Sequence, residues 1–363
     1  MTTNLAVRYR IPMLMTGFAS LLFGIYIGLV RLGWHFPLSS ASQFSLHGPL
    51  MVCGFLGTVI SLERAVAIGE CWAYLAPLSA AFGALLLIAG VPPATATALM
   101  TMASLLLCMV SIRVFLKQRE LFTFSLLLAA MSWFVGCMLW LAGFSLPQVI
   151  PWWMGFLIIT IAGERLELSR FLRPTQNSKM LFVLSLLLFL AGAVVASSSA
   201  WPDYRLLSAS LIAMTLWLLR NDIVRHTIRQ QGLTRYIAVA LTCGYAWLLT
   251  AGIIGVSLQE LSPGSSYDAF THAIFMGFVF SMILGHAPII FPAITKVKIP
   301  YRAAFYLPLV LLQLSLLLRI IADFLSMANL RKTGGILHGA AILLFMTTAA
   351  CSSISNKNDK NIG

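Results

Sequence analysis

SLHGPLMVCGFLGTVISLERAVA, Ser45–Ala67, places a histidine near its start, an apolar body of small residues after it, and the pair Glu63-Arg64 near its end. QVIPWWMGFLIITIAGERLELSR, Gln148–Arg170, follows the same plan without gaps at a shift of 101 residues. It pairs Gly54 with Gly155, Phe55 with Phe156, Leu56 with Leu157, Ile60 with Ile161, Glu63 with Glu164 and Arg64 with Arg165. A weaker third copy, FTHAIFMGFVFSMILGHAPII at 270–290, lies 223 residues on. It pairs Phe55 with Phe278 and puts His286 where the other two have Glu63 and Glu164. Gly, Leu, Ile and Phe are common in membrane helices, but ionisable residues are rare there. The repeated Glu-Arg pair therefore carries the case for a threefold repeat.

The rest of the chain supplies the setting. Of 363 residues, 60% are hydrophobic and 10% charged, with a mean hydropathy of +0.91. A soluble domain cannot bury that much apolar surface, so the solvent is lipid. The sequence predicts an all-α integral membrane fold of about twelve spans, with the repeat on the second (43–66), sixth (148–168) and tenth (267–291). The eighth is placed at 205–222 and the twelfth at 334–352. The whole of 1–363 reads as a single polytopic domain, with a polar, disordered tail at 353–363. No segment has the pattern of a cleaved signal peptide.

The net charge of +13 follows topology rather than a nucleic-acid partner. Counted by alternate sides of twelve spans, nineteen Lys and Arg fall on one side and five on the other, Arg31, Arg205, Arg319, Arg331 and Lys332. This positive-inside bias puts both termini in the cytoplasm of a bacterial inner membrane. The six cysteines lie apart, without a C-x-x-C, and read as small apolar packing residues.

Histidines inside lipid are candidate functional residues by default. His47 lies about one turn inside the outer end of the second span. His47, Met51, Gly54 and Thr58 share one helical face, where Gly54 leaves room for a flat ring or a neighbouring helix. His272 opens the tenth span, His338 the twelfth, and all three histidines fall in one layer near the external face. Within the repeat His272 corresponds to position 49, so it is turned about 200° from His47. That offset suits two ligands gripping one flat object. Neutral imidazole serves zinc, copper and haem iron alike. Haem needs two axial ligands and is apolar enough to sit among helices, whereas zinc or copper wants more, for which Met51 and His338 are the extra candidates. Histidines bonded only to helix carbonyls are the plain alternative. An inner layer of Glu63, Glu164 and His286 is expected near the cytoplasmic face, and Pro288 and Pro292 are expected to end or kink the tenth span.

These residues resemble a known family. Twelve spans with His47-Gly48-Pro49-Leu50-Met51 look like subunit I of the haem-copper oxidases, whose H-G-x-x-M histidine is an axial ligand of the low-spin haem. His272, ahead of Met276-Gly277, resembles the tenth-helix histidine that supplies the opposite ligand. The family's further tenth-helix histidine is here Phe270, and spans six and seven have no histidines for its copper site. The resemblance thus implies an NnrS-type branch without the oxygen-reducing centre. It implies a b-type haem protein that transfers electrons or senses or handles nitric oxide or another diatomic gas, with a redox protein or quinone as partner. No catalytic set is identified, and an enzymatic role stays open. Two rivals remain. One is a cofactor-free transporter built on Glu63, Glu164 and His286. The other is copper or zinc handling through His47, His272 and His338. Neither substrate nor oligomeric state can be read from these residues.

Overall fold

In the computed structural model, residues 4–38, 41–198, 203–258 and 264–361 are described, and all their regular structure is helical. The long helices are α1 (Val7–Arg31), α2 (His47–Ile68), α3 (Leu75–Ile88), α4 (Pro93–Lys117), α5 (Leu121–Leu141) and α6 (Leu146–Ser169). They continue with α7 (Gln176–Ser197), α8 (Arg205–Asn221), α9 (Gly232–Ser257), α10 (Ser265–Thr295), α11 (Tyr306–Phe324) and α12 (Ala328–Asn361). Among the described residues, eleven helices are long and apolar enough to cross a membrane. The expected eighth span is present as α8, but its 17 residues reach about 26 Å, short of the ~30 Å hydrocarbon core. The last helix continues into the polar tail as far as Asn361.

Two of these helices are not α-helical throughout. In α2 the stretch Leu50–Leu56 is a π-helix, and in α10 so is Ala273–Val279. The two π segments begin and end 223 residues apart, the spacing of the first and third copies. Each carries Gly-Phe at its fifth and sixth positions, Gly54-Phe55 and Gly277-Phe278. Helix α10 runs through Pro288 and Pro292 to Thr295, so neither proline ends it.

The chain forms two compact units. Unit one holds Met1–Phe156 and Ile290–Val297, and unit two holds Leu157–Ile289 and Lys298–Gly363. In membranes, helices associate through close packing of small residues rather than through a hydrophobic drive. Unit one shows this along α1, where Gly17, Gly24 and Gly28 receive Thr58, Met51 and His47 of α2. Deeper in, Trp133 fills the space over Gly57 and stacks on Phe156 at 4.8 Å with 10° between ring planes. Trp133 and Trp153 are fully buried, so both are packing residues. Cys53 and Cys137 are buried, unoxidised and 3.9 Å apart, in the packing role expected of them. Unit two is built the same way: Gly255 admits Ser208, Gly192 admits the Leu207 backbone, and Gly277 admits Trp247. Large apolar side chains such as Leu181, Leu184 and Leu187 of α7 stay exposed on the outside, as lipid requires.

Candidate functional site

In unit one, His47 is the first residue of α2. Its Nδ1 lies 2.8 Å from the Gly24 carbonyl of α1, which can only accept, so Nδ1 carries the proton. The lone pair is then on Nε2. Gly28 makes this seating possible, because a Cβ there would stand 2.9 Å from His47 Cε1. The Met51 thioether sits over Gly24 in the same way. The face His47–Met51–Gly54–Thr58 is thus the one that packs on α1. The space over Gly54 is occupied by Ser20 and Ala84, so of the two expectations for Gly54 the neighbouring helix is correct and the flat ring is not. Ser20 Oγ also donates to the Leu50 carbonyl at 2.9 Å, at the start of the π segment.

In unit two, His272 Nδ1 donates to the Asp268 carbonyl at 2.9 Å, one turn back on α10, and lies 3.3 Å from Asp268 Oδ1. Its Nε2 again holds the lone pair. The Asp268 carboxylate is gripped by Arg319 of α11, through Nε to Oδ2 at 3.0 Å and Nη2 to Oδ2 and Oδ1 at 2.8 and 3.1 Å. Arg319 is only 6% exposed. Arg319 is thus a buried partner of Asp268. Asp323, one turn further along α11, pairs with Arg331 of α12 at 3.4 Å. His338 brings a second imidazole to this cluster. Its ring lies 6.4 Å from that of His272 with 9° between planes, it is 5% exposed, and its Nε2 has no hydrogen-bond partner.

Asp268, Arg319 and Asp323 form a charged cluster beside His272 that the reading of histidines and repeats did not single out. The signal was in plain sight. Each is an ionisable residue inside an apolar helix, and Asp268 precedes His272 as Arg319 precedes Asp323, by the four residues that put side chains on one face.

Of the three residues expected in an inner layer, Glu164 and His286 belong to unit two. His286 Nδ1 donates to the Met282 carbonyl at 2.8 Å, and its Nε2 accepts from Arg165 Nη2 at 3.1 Å. Glu164 and Asp222 lie within electrostatic reach of this imidazole. Asp222 is fully buried, accepts from the Tyr245 hydroxyl, and takes the Val224 N–H at 3.0 Å. Arg165 is itself buried, and its Nε finds no hydrogen-bond partner. Glu63 belongs to unit one and is half-buried. His35 and His226 are exposed, outside these clusters.

Among the described residues, no group of three or more His, Cys, Asp or Glu is arranged to hold a metal ion. His47 in unit one and His272 in unit two are each oriented by an Nδ1 hydrogen bond to a backbone carbonyl. In the comparisons, residues 10–354 match the family described as Domain of unknown function (DUF8744). No curated protein matches the chain.

Proposed function

The chain belongs to the DUF8744 family, and for it we propose a membrane b-type haem protein with His47 and His272 as iron ligands. In this reading it lies in a bacterial inner membrane with both termini cytoplasmic, lacks an oxygen-reducing centre, and transfers electrons or handles a diatomic gas such as nitric oxide. The observation that carries the proposal is the shared seating of the two rings. Each ring is fixed by a hydrogen bond from its Nδ1 to a backbone carbonyl, which orients it. Each also stands within a turn of a π segment, a helix variant frequent at functional sites, and the two segments keep the spacing of a sequence repeat. That spacing supports a repeat relation between helices 2 and 10, as the oxidase-like arrangement of helices 2, 6 and 10 requires.

Haem, when bound, supplies one-electron chemistry and an iron that takes gases once a ligand leaves. The chain's own residues do the rest. Asp268 holds the His272 ring in one orientation, while Arg319 keeps that carboxylate in place. Gly24 and Gly28 set the His47 ring. Protein purified after growth with a haem precursor should be red, with a sharp reduced spectrum of two histidine ligands. Covalent attachment is not expected, since no C-x-x-C-H occurs. Protein that remains colourless after haem reconstitution sinks the reading.

A second reading is a cofactor-free transporter, supported by Glu164, Arg165, Asp222, Tyr245 and His286 of unit two. Buried ionisable groups of this kind mark proton or ion paths in membrane proteins. It expects colourless protein and proton-coupled uptake lost in His286→Ala. Copper or zinc handling by His47, His272 and His338 is the least supported reading, and metal analysis of the purified protein decides it.

A further inference from the structure

Helix α4 has 25 residues, about 37 Å, which exceeds the ~30 Å hydrocarbon core and carries its last turn to the headgroup level. Beside that turn is a groove of about 530 Å³ lined by Trp72, Met109, Ile112, Arg113, Leu116 and Lys117. The groove combines two kinds of lining. Met109, Ile112 and Leu116 recur at helical spacing and are 48%, 44% and 59% exposed, an open aliphatic wall. Arg113 and Lys117 stand one turn apart in the last two turns of the helix, with Leu116 between them, and are 55% and 62% exposed.

Glu70, in the turn before α3, organises the polar lining. It accepts from Trp72 Nε1 at 2.6 Å and from Arg113 Nε at 3.1 Å, and lies 3.7 Å from Lys117 Nζ. The indole bond, followed by Arg113 and Lys117, holds the Glu70 carboxyl below the usual carboxylate range, so it is charged at neutral pH. One carboxylate faces two cations. The groove therefore carries a net single positive charge, with a guanidinium already oriented, and the rest of its lining is apolar and open to lipid.

We propose that this groove binds an anionic phospholipid, with its phosphodiester on Arg113 and Lys117 and the start of an acyl chain along Met109, Ile112 and Leu116. The match is one of charge and of position: two cations in the last turns of the helix, and Met109 and Ile112 of the aliphatic wall deeper along it. Basic side chains near a membrane surface attract anionic lipid through the same field. A free phosphate would use the cations and leave the wall without purpose. The site lies wholly in unit one and does not depend on haem.

The test is native mass spectrometry of the full-length protein, titrated with phosphatidylglycerol and with phosphatidylcholine of the same chains. Phosphatidylglycerol should be retained about tenfold more strongly, and the R113Q/K117Q variant should lose that preference. Glu70→Gln should strengthen retention, because it removes the competing anion. Equal retention of the two lipids, or an unchanged preference in R113Q/K117Q, overturns the proposal. Displacement of phosphatidylglycerol by inorganic phosphate at equal concentration also overturns it, in favour of a plain anion site. If R113Q/K117Q does not fold, Met109→Trp fills the wall and keeps both cations. Lower retention in that variant supports the lipid site, and unchanged retention overturns it.

Discussion

His47 and His272 reach the same protonation pattern by opposite means. His47 is set by packing: its proton goes to a carbonyl of another helix, and two glycines of α1 make the approach possible. His272 is set by charge: its proton goes to its own helix, and a carboxylate clamped by a buried arginine stands beside it. The two rings should therefore fail differently. A steric change should disturb the first, and an electrostatic one the second.

The largest expected effect removes either ring. His47→Ala and His272→Ala should each abolish the low-spin spectrum, since one remaining axial ligand leaves the iron five-coordinate. His338→Ala should retain that spectrum, because the ring stacks beside His272 and is not counted among the ligands. Loss in His338→Ala with retention in His272→Ala would exchange their roles.

Next comes the charge clamp. Arg319→Leu leaves the half-buried Asp268 carboxylate without its guanidinium and should cost about 1.5–3 kcal/mol of stability, read by denaturant unfolding in detergent. An effect below that of an exposed pair would mean that the clamp is solvated and that His272 is not held by charge. Gly28→Ala tests the other ring. Its Cβ must displace the His47 imidazole, an overpacking worth about 1–3 kcal/mol, and haem occupancy should fall while the Asp268 cluster is untouched.

A smaller effect isolates the electrostatics. Asp268→Asn with Arg319→Gln removes both charges together, so no ion is left unpaired. Haem retention should weaken about tenfold, as when the second partner of a ligating histidine is lost. If retention is unchanged, the carboxylate contributes nothing to the His272 bond. The smallest effect belongs to an exposed pair of the same chemistry, Asp203 and Arg205, 2.7 Å apart. The Arg205 hydrogen bond holds the Asp203 pKa below its ordinary value. Its stabilisation is therefore present above the unfolded pKa and lost as pH falls through the folded one. Screening limits it to about 0–1 kcal/mol, and Asp203→Asn should flatten that acid limb only slightly.

Much of this was legible along the chain. Lipid as solvent, helical spans and the candidacy of His47 and His272 follow from local facts, namely hydropathy over a span length and the cost of an imidazole in hydrocarbon. Gly54-Phe55, Gly155-Phe156 and Gly277-Phe278 lie at equivalent positions, and Gly277 adds a second match to the third copy of the repeat. The partners of the histidines were not legible. Which helix covers Gly54 and whether Arg319 faces lipid or Asp268 depend on which faces meet. Helical periodicity says only which residues share a face. In hydrocarbon, where apolar faces are nearly interchangeable, close packing and the need to pair every buried charge select the partner, and both are properties of the folded chain.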